Sequence, residues 1–285
     1  MQFLEFDGVK FLAFRYVTGF LALLFIWLAG FMKLNYKGKP VYLLLLCGVM
    51  NPLSSQTLET MAIAYEPTSE LGVFLSLVPV LVVLFSIPIN RELPTKRQVF
   101  FMLVSVFGIM IINLIDGHMI GGTSFGIFLM LSAIVIISVQ RVLIRRASGY
   151  FTAFETIFIT TGMGAVGFTI WTLSLHAVKG QIAGFFDGLW TVDFLIPVLY
   201  MGVLSAVVGF LCLTYAAGHL PIAVSSSTSM LNSVISVLVG IFILNEVFRP
   251  VDIIGTAITF LGILGMSLSY NANLSNRFGK IKSNE

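Results

Sequence analysis

Apolar runs of about twenty residues, separated by short polar punctuation, cover almost the whole chain. Read between those breaks they give nine spans, at 11 to 31, 41 to 65, 70 to 90, 98 to 115, 122 to 142, 151 to 174, 193 to 216, 221 to 244 and 252 to 270. A helix of about 20 residues crosses roughly 30 Å of hydrocarbon, and lipid leaves a chain few other ways to satisfy its backbone. The pattern therefore predicts an all-α integral membrane protein. Its connections are short: KGKP at 37 to 40, Pro67, the charged stretch 91 to 97, Gly121 with Gly122, and Pro221. Only 175 to 192 is long enough to hold a short surface helix.

Composition closes off the soluble classes. Hydrophobic residues make up 58% of the 285 and charged ones 10%, with a mean hydropathy of +1.00; a water-soluble domain has no use for that much apolar surface. The start, MQFLEFDGVKFLAFRYVTGF, is acidic at Glu5 and Asp7 and lacks a clean small-x-small site, so it does not read as a signal peptide. Cys47 and Cys212 lie inside apolar runs and read as small hydrophobes, not as a disulfide or metal framework. His118, His176 and His219 fall in predicted loops and form no ligand cluster, while Trp27, Trp190, Tyr36, Tyr42 and Tyr150 sit near span ends, as interfacial anchors do. Glycine-rich nucleotide loops and nucleophile elbows are absent. No enzyme, cofactor, metal or nucleic-acid partner is expected.

The distribution of charge carries more than the net +3. With nine spans, one side holds Lys33, Lys37, Lys39, Arg91, Lys96, Arg97, Arg141, Arg145, Arg146, Arg277, Lys280 and Lys282; the other holds Lys10, Arg15, Lys179 and Arg249. The positive-inside rule places the first group in the cytoplasm. A C-terminus inside and an N-terminus outside follow; the expected location is the plasma membrane.

Slid against itself, the chain matches best at an offset of 154, where residues 41 to 116 pair with 195 to 270 without a gap and 16 of 76 pairs are identical. The informative identities are Gly48 with Gly202, Pro67 with Pro221, Glu92 with Glu246 and Gly108 with Gly262. Glycines inside membrane helices allow close packing, proline suits a helix start, and the two acids, each before a following helix, read as caps or braces. The copies are 1 to 116, with four helices, and 122 to 270, with five; 271 to 285 is a cytoplasmic tail. An odd number of helices per copy inverts successive copies, a design common among secondary transporters. The first copy is expected to lack its first helix.

The runs FLAFRYVTGFLALL, MAIAYEPTSELGVFLSLVPVLVVLFSIPINRE and QVFFMLVSVFGIMII, with their second-half counterparts LTYAAGHLPIAVSSSTSMLNSVISVLVGIFILNE and DIIGTAITFLGILG, resemble the drug/metabolite transporter superfamily, specifically its EamA-type members. The resemblance implies two inverted five-helix repeats and movement of small metabolites through a central cavity. It makes the Arg15 run the second helix of ten, which agrees with an external N-terminus.

Candidate site residues come from polarity within the spans, where charge costs about 2.5 to 3.5 kcal/mol on insertion scales. Arg15 lies near a helix end and is read chiefly as snorkelling outward. Glu59 follows Gln56 by three residues, so both share a face, and its repeat mate is Leu213. It is a candidate for substrate contact or proton coupling; the plainer reading places it among outer headgroups. Glu155 at a helix start reads as a cap. Ser225, Thr228, Ser229, Asn232 and Ser236 form a stripe, either close-packing or a polar cavity wall. Asn51, Ser55 and Gln56 are placed to face the same space, with Pro52 kinking one copy only, since its mate is Ala206.

The expected function is a secondary transporter that exports a small amino-acid-like, polar or amphipathic metabolite by alternating access, with Asn51, Gln56, Glu59, Ser225, Ser229 and Asn232 lining the cavity. A non-transporting accessory or truncated subunit and a lipid-headgroup flippase remain as alternatives.

Overall fold

The computed structural model describes residues 2–63, 65, 77–91, 93–115, 124–178, 185, 191–220, 224–225, 251, 253–265 and 268, with side chains throughout except at 2–7, 63, 109, 112–115 and 206. Its long elements are all helices: α1 (Gln2–Leu28), α2 (Tyr42–Gly48), a π-helical segment Val49–Ser54, α3 (Ser55–Ile63), α4 (Val78–Asn90), α5 (Lys96–Ile115), α6 (Ser124–Ala147), α7 (Ala153–Val178), α8 (Val192–Leu199), a second π-helical segment Tyr200–Gly209, α9 (Phe210–His219) and α10 (Ile253–Gly265). Four continuous helical stretches are long and apolar enough to cross a bilayer: Gly8–Leu28, Ser124–Ala147, Ala153–Val178 and Val192–His219. The span expected at 221 to 244 lies outside the described residues apart from Val224 and Ser225.

Helix ends follow local chemistry. At the end of α1, Gly30 takes φ +77, its N–H donates to Trp27 O at 3.0 Å, and Phe31 N–H donates to Ile26 O at 3.3 Å. This is a Schellman motif, and its left-handed residue favours glycine. α5 opens with a reciprocal capping box: Thr95 N–H donates to Gln98 Oε1 at 2.9 Å and Gln98 N–H to Thr95 Oγ1 at 3.3 Å. Glu92 and Glu246, expected to cap or brace, lie outside the described residues. The histidine expectation is corrected at two positions. His176 lies in the last turn of α7, 1% exposed, with Nδ1 2.8 Å from Thr172 O, and His219 ends α9 with Nδ1 2.8 Å from Tyr215 O. Each ring bonds a carbonyl of its own helix, which extends the helix past the point where polarity suggests a loop.

The chain divides into two compact units, Met1–Glu66 with Thr123–His219, and Pro67–Gly122 with Leu220–Glu285. Each draws on both sequence copies. In the first unit α1 and α7 pack antiparallel: Thr172 Oγ1 lies 3.4 Å from Val9 O, Tyr16 stacks on Phe168 at 5.5 Å, and Leu23 is buried with Phe154 and Ile157. Glycines let the broken helix approach α7, Gly48 against Met163, Gly164 against Pro52 and Tyr16, and Gly167 against Leu53. Leu21, Phe25, Phe128, Val166, Ile170 and Leu204 stay exposed, as expected of surface facing lipid rather than water.

In the second unit α5 and α10 cross antiparallel. Ser105 Oγ donates to Thr259 O at 3.3 Å and Thr259 Oγ1 to Ser105 O at 3.4 Å. A Cβ on Gly108 would meet Thr259 N at 2.6 Å and Gly255 O at 2.7 Å; one on Gly262 would meet Phe101 O and Ser105 N, both at 2.7 Å. Residues 101, 105 and 108 are the repeat mates of 255, 259 and 262 at the offset of 154. Every contact in this set therefore maps onto another of the set when the copies are exchanged, the reciprocity of a two-fold contact.

Candidate functional site

The second helix of the first unit is interrupted where the sequence places Pro52. Asn51 adopts φ −146 and ψ 119, an extended conformation inside the π-helical segment. Proline supplies no N–H and blocks the preceding turn; at the break Ser54 Oγ donates to Val49 O at 2.8 Å, and one turn on Thr57 Oγ1 donates to Leu53 O, four residues back. The kink expected beside Pro52 is found at Asn51. The extended residue belongs to the first copy, but the second π-helical segment, Tyr200–Gly209, contains 203 to 208, the repeat mates of 49 to 54.

Just past the break, α3 presents Gln56 and Glu59 toward α1. Arg15 Nη1 donates to Gln56 Oε1 at 3.4 Å, and Gln56 Nε2 donates to Glu59 Oε2 at 3.3 Å. Arg15 is only 7% exposed and its Cζ lies 5.4 Å from the Tyr16 ring, itself 3% exposed. The snorkelling expectation for Arg15 is thus corrected. α1 begins at Gln2, not near residue 11, so Arg15 sits about 20 Å along its helix and turns inward to a polar partner. The signal for this depth is QFLEFDG, which is helical from Gln2 despite its acidic residues.

The line is incompletely satisfied. Arg15 Nε, Ser55 Oγ and Thr169 Oγ1 are buried without a hydrogen-bond partner among the described residues. Guanidinium and carboxylate are linked through a neutral amide that accepts from one and donates to the other. Such a pair can hold a ligand with complementary charges, since charge-assisted hydrogen bonds are stronger than neutral ones. Asn51, Gln56 and Glu59 lie on the same broken helix; Ser225, 5% exposed, belongs to the second unit; Ser229 and Asn232 lie outside the described residues. Among the described residues no group of three or more His, Cys, Asp or Glu could hold a metal ion.

A second charged cluster closes one end of the unit. Thr152 and Glu155 form the capping box of α7, with Thr152 N–H to Glu155 Oε2 at 2.9 Å and Glu155 N–H to Thr152 Oγ1 at 3.2 Å. Glu155, 2% exposed, also accepts from Lys39 Nζ at 2.8 Å and Asn35 N–H at 2.7 Å, and Tyr36 OH donates to its backbone carbonyl at 3.0 Å. Burial first, then the Glu155 carboxylate, raises the Tyr36 phenol well above its ordinary pKa, which keeps it a donor. The cap expected at Glu155 is present, and the same carboxylate anchors the 31 to 40 loop.

Long apolar helices with lipid-facing surfaces define an integral membrane protein. The EamA-like transporter family matches residues 1–114 and 124–268. The chain belongs to that family, whose members are transporters and not enzymes. It is 24% identical over 259 residues to "Uncharacterized transporter YcxC" of Bacillus subtilis, covering 90% of this chain and 83% of that protein. It is 24% identical over 241 residues to "Probable terminal-alkyne amino-acid exporter" of Streptantibioticus cattleyicolor, covering 85% and 77%. A solved crystal structure superposes with a TM-score of 0.73 at 18% identity, over 92% of this chain and 89% of its own, which shows the shared fold.

Proposed function

We propose that the protein is a secondary transporter that exports a small zwitterionic, amino-acid-like metabolite by alternating access. The observation that carries this reading is the buried line Arg15, Gln56 and Glu59 beside a broken helix. Broken membrane helices commonly border substrate sites, and buried charge inside a span is costly enough to call for a role. Arg15 would take a carboxylate, Glu59 an ammonium or a proton, and Gln56 would bridge them. Ser225, Ser229 and Asn232 are further substrate contacts from the second repeat, and Asn51 contributes its amide at the break. The relative named "Probable terminal-alkyne amino-acid exporter" supports both cargo class and direction. The remaining parts of the reading are inverted repeats at 1 to 116 and 122 to 270, a cytoplasmic C-terminus with an external N-terminus, and the plasma membrane.

Counterflow in proteoliposomes tests the cargo class. Neutral α-amino acids should exchange, while amines and carboxylic acids of the same size, each lacking one charge, should exchange about tenfold less or weaker, because a site built for a polar group rejects an analogue that leaves it unpaired. Equal exchange of the singly charged analogues would remove the zwitterion reading.

A further inference from the structure

At the end of the first unit marked by Lys39 and Glu155, a groove of about 410 Å³ opens between the 38 to 43 segment and the turn joining α6 to α7. Lys39, Arg146, Tyr42 and Tyr150 line it together with Pro40 and Leu43. Lys39 is fixed there by Glu155, which offsets its charge, and by the Phe151 ring 5.3 Å away. Arg145 is turned elsewhere, donating to the carbonyls of Ala217 and Gly218. Arg146 is exposed and has no hydrogen-bond partner among the described residues, and exposed Lys37 precedes the groove by one residue. Among the described residues no carboxylate answers Arg146, so the groove carries positive charge together with two tyrosine side chains.

Its place in the membrane selects the ligand. α6 and α7 both have the length and apolarity of membrane spans, and the groove lies at the turn between them. From Tyr42, 67% exposed, a stripe of uncovered apolar side chains continues at Leu45, Leu46 and Val49, the three- and four-residue spacing of one helix face. A cationic, hydroxyl-lined pocket leading onto an exposed apolar stripe matches a phosphate with an acyl chain attached, whereas a soluble phosphate has no use for the stripe. Basic pockets between membrane helices recognise anionic headgroups in this way.

We propose that this groove is a binding site for an anionic phospholipid, its phosphate held by Arg146, Lys39 and the Tyr42 and Tyr150 hydroxyls and its acyl chain lying along Leu45, Leu46 and Val49. Binding by Lys39 Nζ would keep its two bonds to Glu155, so the headgroup adds to an arrangement that already exists.

The test is native mass spectrometry of the full chain in detergent, titrated separately with phosphatidylglycerol, phosphatidylcholine and inorganic phosphate, with the melting temperature read in parallel. Phosphatidylglycerol should stay bound and raise the melting temperature above the level reached with phosphatidylcholine, and inorganic phosphate should do neither. Arg146→Gln should weaken phosphatidylglycerol binding about fivefold, the effect expected of one cation near the surface, while Arg146→Lys should retain most of it. Equal retention of both lipids, an unchanged Arg146→Gln, or a shift reproduced by inorganic phosphate alone would each overturn the proposal. If Arg146→Gln does not fold, the wild type decides in about 1 M salt, where the Debye length falls to about 3 Å: phosphatidylglycerol occupancy should drop, and undiminished occupancy contradicts the site.

Discussion

Arg15 and Glu155 show two ways in which this chain accommodates a buried charge. Glu155 is answered in full by Lys39, Asn35 N–H and Thr152 N–H, so its role is to hold loop and helix together. Lys39, 23% exposed, can turn to water when Glu155 is removed, so the cost of losing Glu155 lies in the cap and the loop anchor lost with the pair. Glu155→Ala is expected to cost about 3 kcal/mol, the sum of these bonds, and Lys39→Ala less, about 1 to 2 kcal/mol, since Glu155 keeps its backbone donors. Thermal unfolding of the purified variants should give that order. Arg15, in contrast, makes one long bond to Gln56 and leaves Nε unanswered, so it has donor capacity to spare for a ligand. The Glu155 cap was legible because Thr152 and Glu155 stand three residues apart at a helix start. Arg15 was misread because the acidic opening turn hides how far the helix extends, and Lys39 could not be matched to Glu155 because 116 residues separate them.

Among the elements, the α5 and α10 crossing is the part of the fold that the sequence displayed most directly. Gly108 and Gly262 stood out as repeat mates, and each proves to be where the partner's backbone comes too close for a Cβ. Gly108→Ala and Gly262→Ala should each destabilise by about 1 to 3 kcal/mol, as overpacking does, and by similar amounts because their surroundings correspond. Gly149→Ala, whose Cβ would find only Arg146 O at 3.5 Å, should melt close to wild type. The broken second helix was legible at Pro52, a residue whose effect on the backbone is local. Its counterpart at Tyr200–Gly209 has no proline, and a π-helical widening without one leaves no mark in the residue pattern. Four of the expected spans, at 11 to 31, 122 to 142, 151 to 174 and 193 to 216, coincide with long apolar helices among the described residues, at Gly8–Leu28, Ser124–Ala147, Ala153–Val178 and Val192–His219; the helix at His176 runs past its expected end, and that ring bonds Thr172 O of its own helix.

At the scale of the whole molecule, lipid is the solvent that explains the exposed apolar side chains, and the transporter family fixes the class of activity. Lys37 and Arg146 lie at one end of the first unit, Lys10 and Val178 toward the other, as the antiparallel contacts of α1 and α7 require. In intact cells, cysteines introduced at Lys37 and Arg146 should therefore label only from the cytoplasmic side, and one at Val178, 89% exposed, only from outside. The reverse pattern would invert the proposed orientation without touching the fold. The all-α membrane class is readable from hydropathy, whereas the charged line is not, because it depends on α1 and α3 meeting across 41 residues of chain. That line is also where the functional account is most exposed. Amino-acid counterflow in proteoliposomes containing Arg15→Gln or Glu59→Gln, each verified as folded, tests it most directly. Both variants should lose about tenfold or more of wild-type exchange, the effect of one lost charge-assisted hydrogen bond; wild-type exchange in both would contradict the assignment.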